Sequence, residues 1–297
     1  MRPVKEIFME EYWDIAFRHY SDCDTVVDAD KKTYVFNELK ATKRYWYADP
    51  FLFEKDGKIY LFVEMFDNIS EKGLIGYSEY VDNKFTQPQV VLEESFHLSY
   101  PYVFEKNGIV YMMPETREDG CIQLYRAEDF PKKWVKDRVI VKIKDAVDTV
   151  IDGDDIITSV ITSPIEMKTQ IEIYSIKTGE PTFDNPVKAS DQVSRGAGRI
   201  IEQGGKRLRP AQNCKGANYG DGLIFYEIKK NENEYREVIY SKLISAQIFC
   251  DTGRIFGVHT YARTGDIEIV DVKKKRINMK RIFWILKRKL EMCRSEL

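Results

Sequence analysis

Histidine is almost missing from this chain of 297 residues. There are three, His19, His97 and His259, and none stands in an H-x-x-E or H-x-H arrangement. A transition-metal site is therefore not expected, because such sites draw His, Cys and carboxylate ligands from short, fixed spacings. Cysteine is also sparse: five residues, an odd number, with no C-x-x-C pair. That indicates neither a zinc site nor a disulfide framework, and it fits a reducing compartment. No cofactor is expected. No run approaches the ~20 apolar residues of a membrane span, and the first eleven residues alternate charge with bulk where a secretory signal would be apolar. The expected location is cytoplasmic.

Acid is missing from one region. From Lys273 to Leu290 there are nine basic residues and no Asp or Glu, although the whole chain carries a net charge of −2. Without residues 273–297 the chain holds 36 Lys/Arg against 46 Asp/Glu, a balance near −10. So acidic a body argues against nucleic acid as a partner. In the tail, Met279, Ile282, Phe283, Leu286, Leu290 and Cys293 recur at helical spacing, with Arg281, Lys287 and Arg288 on other faces. This predicts a short basic amphipathic helix over 273–297, suited to an anionic membrane surface at the inner face of the plasma membrane, or packed on the body or on a partner with its basic face solvated.

What the chain has in abundance is itself. Asp49-Pro50-Phe51-Leu52-Phe53-Glu54-Lys55-Asp56-Gly57 and the seven residues after it, to Glu64, align without a gap on Tyr100-Pro101-Tyr102-Val103-Phe104-Glu105-Lys106-Asn107-Gly108 and the seven that end at Glu115. Each copy reads strand, turn, strand, with Asp-Gly or Asn-Gly supplying the positive φ angles of a tight hairpin. The same frame is read at Asp152-Gly153, Gly204-Gly205 and Thr252-Gly253, so that turns recur roughly every 45 to 52 residues. That period matches a propeller blade of four antiparallel strands. Five blades over residues 41–272 use most of the chain, and 18 Tyr and 16 Phe provide ample core. The predicted fold is all-β, a five-bladed β-propeller. Runs such as Leu74–Ser78, Ile122–Tyr125 and Ile171–Tyr174 complete blades, and Tyr12–Arg18, within an N-terminal segment 1–40, offers a strand to close the ring.

A hairpin brings the residue before its first strand beside the residue after its second. Asp49 then neighbours Glu64, Tyr100 neighbours Glu115, Gln212 takes the glutamate position of the fourth hairpin, and the fifth ends in Val258-His259-Thr260. If these hairpins are the inner halves of the blades, their polar ends gather at one mouth of the channel, a concave site rich in carboxylates. Arg199 and Arg209 belong to the fourth hairpin. Guanidinium forks there suit bidentate capture of phosphate or carboxylate, and an internal salt bridge to Glu64, Glu115 or Asp148 is the competing use. His97 and His259 are candidates to donate to sugar hydroxyls or shuttle protons. Trp46, Tyr47, Tyr100, Tyr102 and Tyr219 offer stacking faces unless they fill the core.

The stretches Tyr47–Leu52, His97–Phe104, Tyr111–Thr116, Leu124–Ala127 with Phe130–Trp134, and Arg209–Cys214 resemble the N-terminal domain of glucosamine inositolphosphorylceramide transferases, over about Tyr45 to Asp271. Similar domains occur in bacterial surface-polysaccharide clusters. The resemblance implies a five-bladed propeller related in architecture to arabinanase- and xylosidase-type glycoside hydrolases. In the plant-type transferases sugar transfer is assigned to a separate C-terminal domain, so the likeness points to glycans without making this segment the transferase. By analogy with the hydrolases, Asp49 resembles the base that opens blade one. Glu115 is then the candidate acid, with Glu64 or Asp148 keeping the charges and pKa values apart. The pattern departs from theirs where Tyr100 stands in place of a second Asp, and Asp148 fits the repeat only with a shift. Three classes follow: an enzyme acting on a glycosidic or glycosyl-phosphate bond; a non-catalytic module that presents a sugar, sugar nucleotide or lipid-linked glycan to a partner glycosyltransferase; and a scaffold for proteins.

Overall fold

Asp56 and Gly57 have φ angles of 51° and 70°, and Asn107 and Gly108 of 54° and 76°. This left-handed pair is the type I′ turn whose twist matches the strands it joins. The computed structural model describes residues 9–21, 24–28, 33–166, 168–191, 195–214, 219–250, 254–280, 283, 284 and 287. They begin with β1 (Met9–His19) and β2 (Asn37–Leu39). Blade one follows as β3 (Tyr45–Lys55), β4 (Lys58–Asp67), β5 (Lys72–Val81) and β6 (Lys84–Phe85), with β7 (Gln89–Leu92) also on β5. Blade two is β8 (Ser99–Lys106), β9 (Ile109–Glu115), β10 (Cys121–Asp129) and β11 (Lys133–Lys142). Blade three is β12 (Ala146–Asp152), β13 (Asp155–Ser163), β14 (Lys168–Ser175) and β15 (Lys188–Asp191). Blade four is β16 (Ile201–Gln203), β17 (Lys206–Asn213), β18 (Gly222–Lys230) and β19 (Tyr235–Ile239), with β20 (Ile244–Ser245) on β18. The last sheet pairs β21 (Tyr261–Thr264) with β22 (Ile267–Ile277), then β1 and β2, so the chain's first strands complete blade five.

All five sheets are antiparallel, and the protein is an all-β five-bladed propeller. Its core is a set of seams between blades. Phe62, Ile75 and Tyr77 of blade one meet Val103, Met112 and Trp134 of blade two. Ile15 and Phe17 of β1 meet Leu52, Leu61 and Met65 of blade one. Each such side chain stabilises the ring by about 1.5–3 kcal/mol when fully buried, which an isolated blade could not achieve. The first strand of each blade is an edge of its sheet, and that is why β3 and β8 tolerate Pro50 and Pro101, which have no N–H to give.

Two expectations are corrected. Thr252 and Gly253 lie outside the described residues, and the fifth hairpin turns instead at Gly265 between β21 and β22. Val258-His259-Thr260 therefore precede the inner strand of blade five rather than follow its partner. The interval from the fourth turn is longer because β20 and a short 3-10 helix, Ala246–Ile248, are inserted. The boundary at 272 also moves. Lys273–Arg276 are strand residues of β22, with Lys273 paired to Glu11, Lys274 to Asp14 and Glu38, and Arg276 to Glu10. The expected C-terminal amphipathic helix falls mostly on residues outside those described.

Candidate active site

Three inner strands bend at the same point. Asp49, Tyr100 and Asp148 all take positive φ, 50°, 49° and 52°. At each the pairing register breaks, between Ala48 and Phe51, Ser99 and Tyr102, and Val147 and Val150. A bulge re-aims the residue it displaces. Just before each bulge, Ala48 pairs with Glu64, Ser99 with Glu115 and Val147 with Ser159. Asp148 thus occupies the third copy of the Asp49 position, which its hairpin, four residues shorter than the first two, conceals in a gapless alignment.

These bulges surround a cavity of about 240 Å³ at one mouth of the channel, lined by Asp49, Glu64, His97, Glu115, Arg117, Arg195, Tyr219, His259, Trp13 and Trp46 among others. Asp49 accepts the Tyr100 backbone N–H at Oδ2 (3.2 Å) and the Thr260 hydroxyl at Oδ1 (2.8 Å), while its own N–H donates to Asp271 (3.0 Å). Asp271 also accepts the backbone N–H groups of His259 and Thr260, each at 2.9 Å. The His259 ring stacks on Trp13 with centroids 4.0 Å apart, its Nδ1 2.5 Å from Asp271 Oδ2 in an ion-pair contact rather than an aligned hydrogen bond. Its Nε2 lies 3.6 Å from Asp49. Glu64 faces His97 Nε2 at 3.2 Å. Arg195 grips Asp148 through two hydrogen bonds of 2.6 and 3.0 Å, under the ring of Tyr219. Among the described residues the Glu115 carboxyl accepts only the Asp148 backbone N–H, a long contact of 3.4 Å.

The charges divide accordingly. Three acids have a cationic partner: Glu64 with His97, Asp148 with Arg195, Asp271 with His259. Burial is the main cause that raises Glu115 from its ordinary 4.5 to about 8, with the negative charge of Asp148 adding and Arg195 opposing. Burial likewise raises Asp49 from 3.8 to about 7; His259 opposes, while Glu64 and Asp271 add. Burial alone would lower His97, but the hydrogen bond and charge of Glu64 outweigh it and hold the imidazole protonated up to about 9. His259 is raised too, burial being overcome chiefly by Asp271. The site therefore combines proton-holding carboxyls with fixed ion pairs, an arrangement able to deliver and accept protons near neutral pH.

Ligand atoms of Asp49, His259 and Asp271 lie within 4.8 Å of one another, close enough to converge on one metal ion. Both imidazole nitrogens face carboxylates and its pKa is raised, so a cation there would have to displace the His259 proton.

Other expected site residues lie elsewhere. Arg209 is fully buried away from the cavity in an ion pair with Glu237, which Tyr235 and Lys188 also contact. The partner is an acid of β19, not Glu64, Glu115 or Asp148. Arg199 lies over the Tyr102 ring at 4.3 Å and donates to the Tyr102 hydroxyl and the Val103 carbonyl. Tyr100 is buried, and its hydroxyl accepts the Gly198 N–H at 2.6 Å, a tether across the channel. Only glycine fits at that position, since a Cβ on Gly198 (φ 127°) would meet the Tyr261 carbonyl at 1.9 Å. Gln212 is buried and donates to the Gly196 carbonyl. The guanidinium groups at the site are those of Arg195 and Arg117, and the acid of blade five is Asp271; none of these was singled out from the sequence. Asp271 follows Gly265 by six residues, as Ser159 follows Gly153, and this was the available signal.

The family model described as glucosamine inositolphosphorylceramide transferase 1, N-terminal, matches residues 35–250. The protein of that name from Arabidopsis thaliana is 36% identical over 205 residues, which are 64% of this chain and 26% of the relative. Its counterpart from Oryza sativa subsp. indica is 33% identical, with 64% and 27% covered. The chain thus spans about a quarter of the length of these curated relatives. Among solved structures, the catalytic domain of a GH62 α-L-arabinofuranosidase from Coprinopsis cinerea superposes with a TM-score of 0.56 at 12% identity, over 77% of this chain and 90% of that one. The GH43_1 enzyme from Xanthomonas citri complexed with xylotriose gives 0.52 at 10% identity, over 79% and 87%. At such identity these likenesses speak for the fold alone.

Proposed function

The chain belongs to the family described as glucosamine inositolphosphorylceramide transferase 1, N-terminal, and from that premise we propose that it is a carbohydrate-active propeller of surface-polysaccharide or glycoconjugate assembly. It acts on a glycosidic or glycosyl-phosphate bond at the channel mouth. One observation carries this reading: burial pushes Asp49 and Glu115 at the mouth toward neutral pKa values, while Glu64, Asp148 and Asp271 each stand against a cation. Glu115, protonated at pH 7, gives its proton to the leaving oxygen. Asp49 takes the proton of the incoming hydroxyl as that oxygen attacks the anomeric carbon. His97 and Arg117 line the cavity, each paired with an acid, Glu64 and Asp145, and a phosphate-bearing substrate such as a sugar nucleotide or a lipid-linked sugar would share these cations with those acids. The names of the plant relatives, which join glucosamine to a phosphorylated lipid, fit that substrate class.

A second reading has its own support. Both oxygens of Asp49 already accept hydrogen bonds from neighbouring blades, so this carboxylate also clasps the ring, and the cavity then binds a glycan for a partner glycosyltransferase. Asp49→Asn and Glu115→Gln separate the two. With a panel of sugar nucleotides and lipid-linked acceptors, each variant should lose about 10²–10⁴ in turnover while calorimetry shows ligand binding retained. Full activity in both variants would leave only the binding role.

A further inference from the structure

We propose that the blade-five rim of the channel mouth is a docking surface for an anionic phospholipid bilayer, so that the cavity faces the membrane. The direction of the strands carries the placement. β22 leaves its turn at Gly265, passes Asp271 at the floor of the site and ends at Ile277, paired with Met9. β4 likewise passes Glu64 and ends at Asp67. The two ends meet on one rim: Lys43 Nζ donates to the Ile277 carbonyl at 3.4 Å, and Asn278 and Asn68 both donate to the Lys43 carbonyl, at 3.0 and 3.2 Å.

This rim carries positive and apolar groups at the surface, with the Lys275 ammonium over the Phe256 ring at 5.3 Å. A cleft of about 380 Å³ is lined by Lys40, Arg254, Lys274 and Lys275 against Asp14 and Glu38. Lys274 binds both acids, at 3.1 and 2.5 Å. Lys275 is shared with Glu11, whereas among the described residues Lys40 and Arg254 have no ion-pair partner. Phe256, Ile277 and Met279 are exposed beside them. Lys280 and Arg281 follow directly in the chain, and the next acid is Glu291. Cations flanking exposed apolar side chains match an anionic headgroup layer over acyl chains. Three of the four cations at 273–276 are held in buried or half-buried pairs, so docking depends on Lys40 and Arg254 as much as on the tail. The consequence is orientation: a lipid-linked substrate would meet the cavity from the bilayer side. The proposal is independent of catalysis, because vesicle binding is read without turnover.

The full chain should sediment with vesicles of phosphatidylcholine containing a third phosphatidylglycerol, and not with phosphatidylcholine alone. Raised salt should weaken the binding. Lys40→Gln with Arg254→Gln, exposed positions whose loss leaves thermal unfolding unchanged, should weaken it about 30-fold, from two cations near the surface. In a background with Cys23, Cys250 and Cys293 replaced by serine, an environment-sensitive dye on Ile69→Cys, beside the end of β4, should respond to vesicles. The same dye on Asp56→Cys, at the opposite turn, should not. Absent binding, an unaffected double variant or the reverse dye pattern would each overturn the proposal. So would a dimer dispersed by the double substitution without vesicle binding, which would assign the rim to a second copy of the chain.

Discussion

Glu115 holds its proton at a cost to the folded state, and the sign follows from its pKa. Raised from 4.5 to about 8, the group binds a proton in the folded protein that the unfolded chain has released, so stability is full below about 4.5 and falls as pH rises through about 8. Glu115→Gln removes that loss. The variant should therefore gain stability relative to the parent as pH is raised from 5 to 9, measured by urea unfolding at each pH. A constant difference across that range would place Glu115 in a solvated, ordinary environment. His97 titrates in the same direction: its contact with Glu64 contributes below pH 6.5 and fades as pH passes about 9. At this scale the sequence was legible where the repeat was exact. Glu64 and Glu115 end matching hairpins and line the cavity together. Arg195 was illegible, because it precedes its strand in a stretch without hairpin pattern and is held at the cavity by Asp148 of another blade.

A strand can carry a charged residue inward only if another strand supplies its counterion, and Arg209 of β17 shows the effect. Glu237 of β19 holds the guanidinium between blades three and four, and the pair with Arg209 keeps Glu237 down near 2 although burial alone would raise it. Removing one member of a buried pair strands the other charge, at about 3–5 kcal/mol. Arg209→Leu should thus lower unfolding free energy by about that much while ligand affinity at the mouth is unchanged. Loss of affinity in a variant of unchanged stability would return Arg209 to the site. Such pairings also explain why β22 read as a tail. Lys273–Arg276 look like a solvated basic run until Glu10, Glu11 and Asp14 of β1 are set beside them, some 260 residues away in sequence. Asp-Gly and Asn-Gly turns are local and were legible; cross-strand charge complementarity is not local and was missed.

The whole ring depends on one long-range event, the entry of β1 between β2 and β22. Without it blade five keeps only β21 and β22, and β22 presents an open edge eleven residues long. β1 also brings Trp13, Ile15 and Phe17 into the core, and Trp13 supports the His259 ring at the site. Three large side chains at about 1.5–3 kcal/mol each amount to on the order of 5–9 kcal/mol, comparable with the 5–15 kcal/mol that holds a typical domain together. A chain lacking residues 1–21 should therefore lose cooperative thermal unfolding and aggregate through the exposed edge. Because the missing element is a single strand, a synthetic peptide of residues 9–19 should restore a cooperative transition when added in trans, with a midpoint that rises with peptide concentration. A truncated chain that unfolded cooperatively by itself, with its midpoint unmoved by peptide, would mean that four blades and a hairpin suffice, and that β1 serves the site rather than the ring.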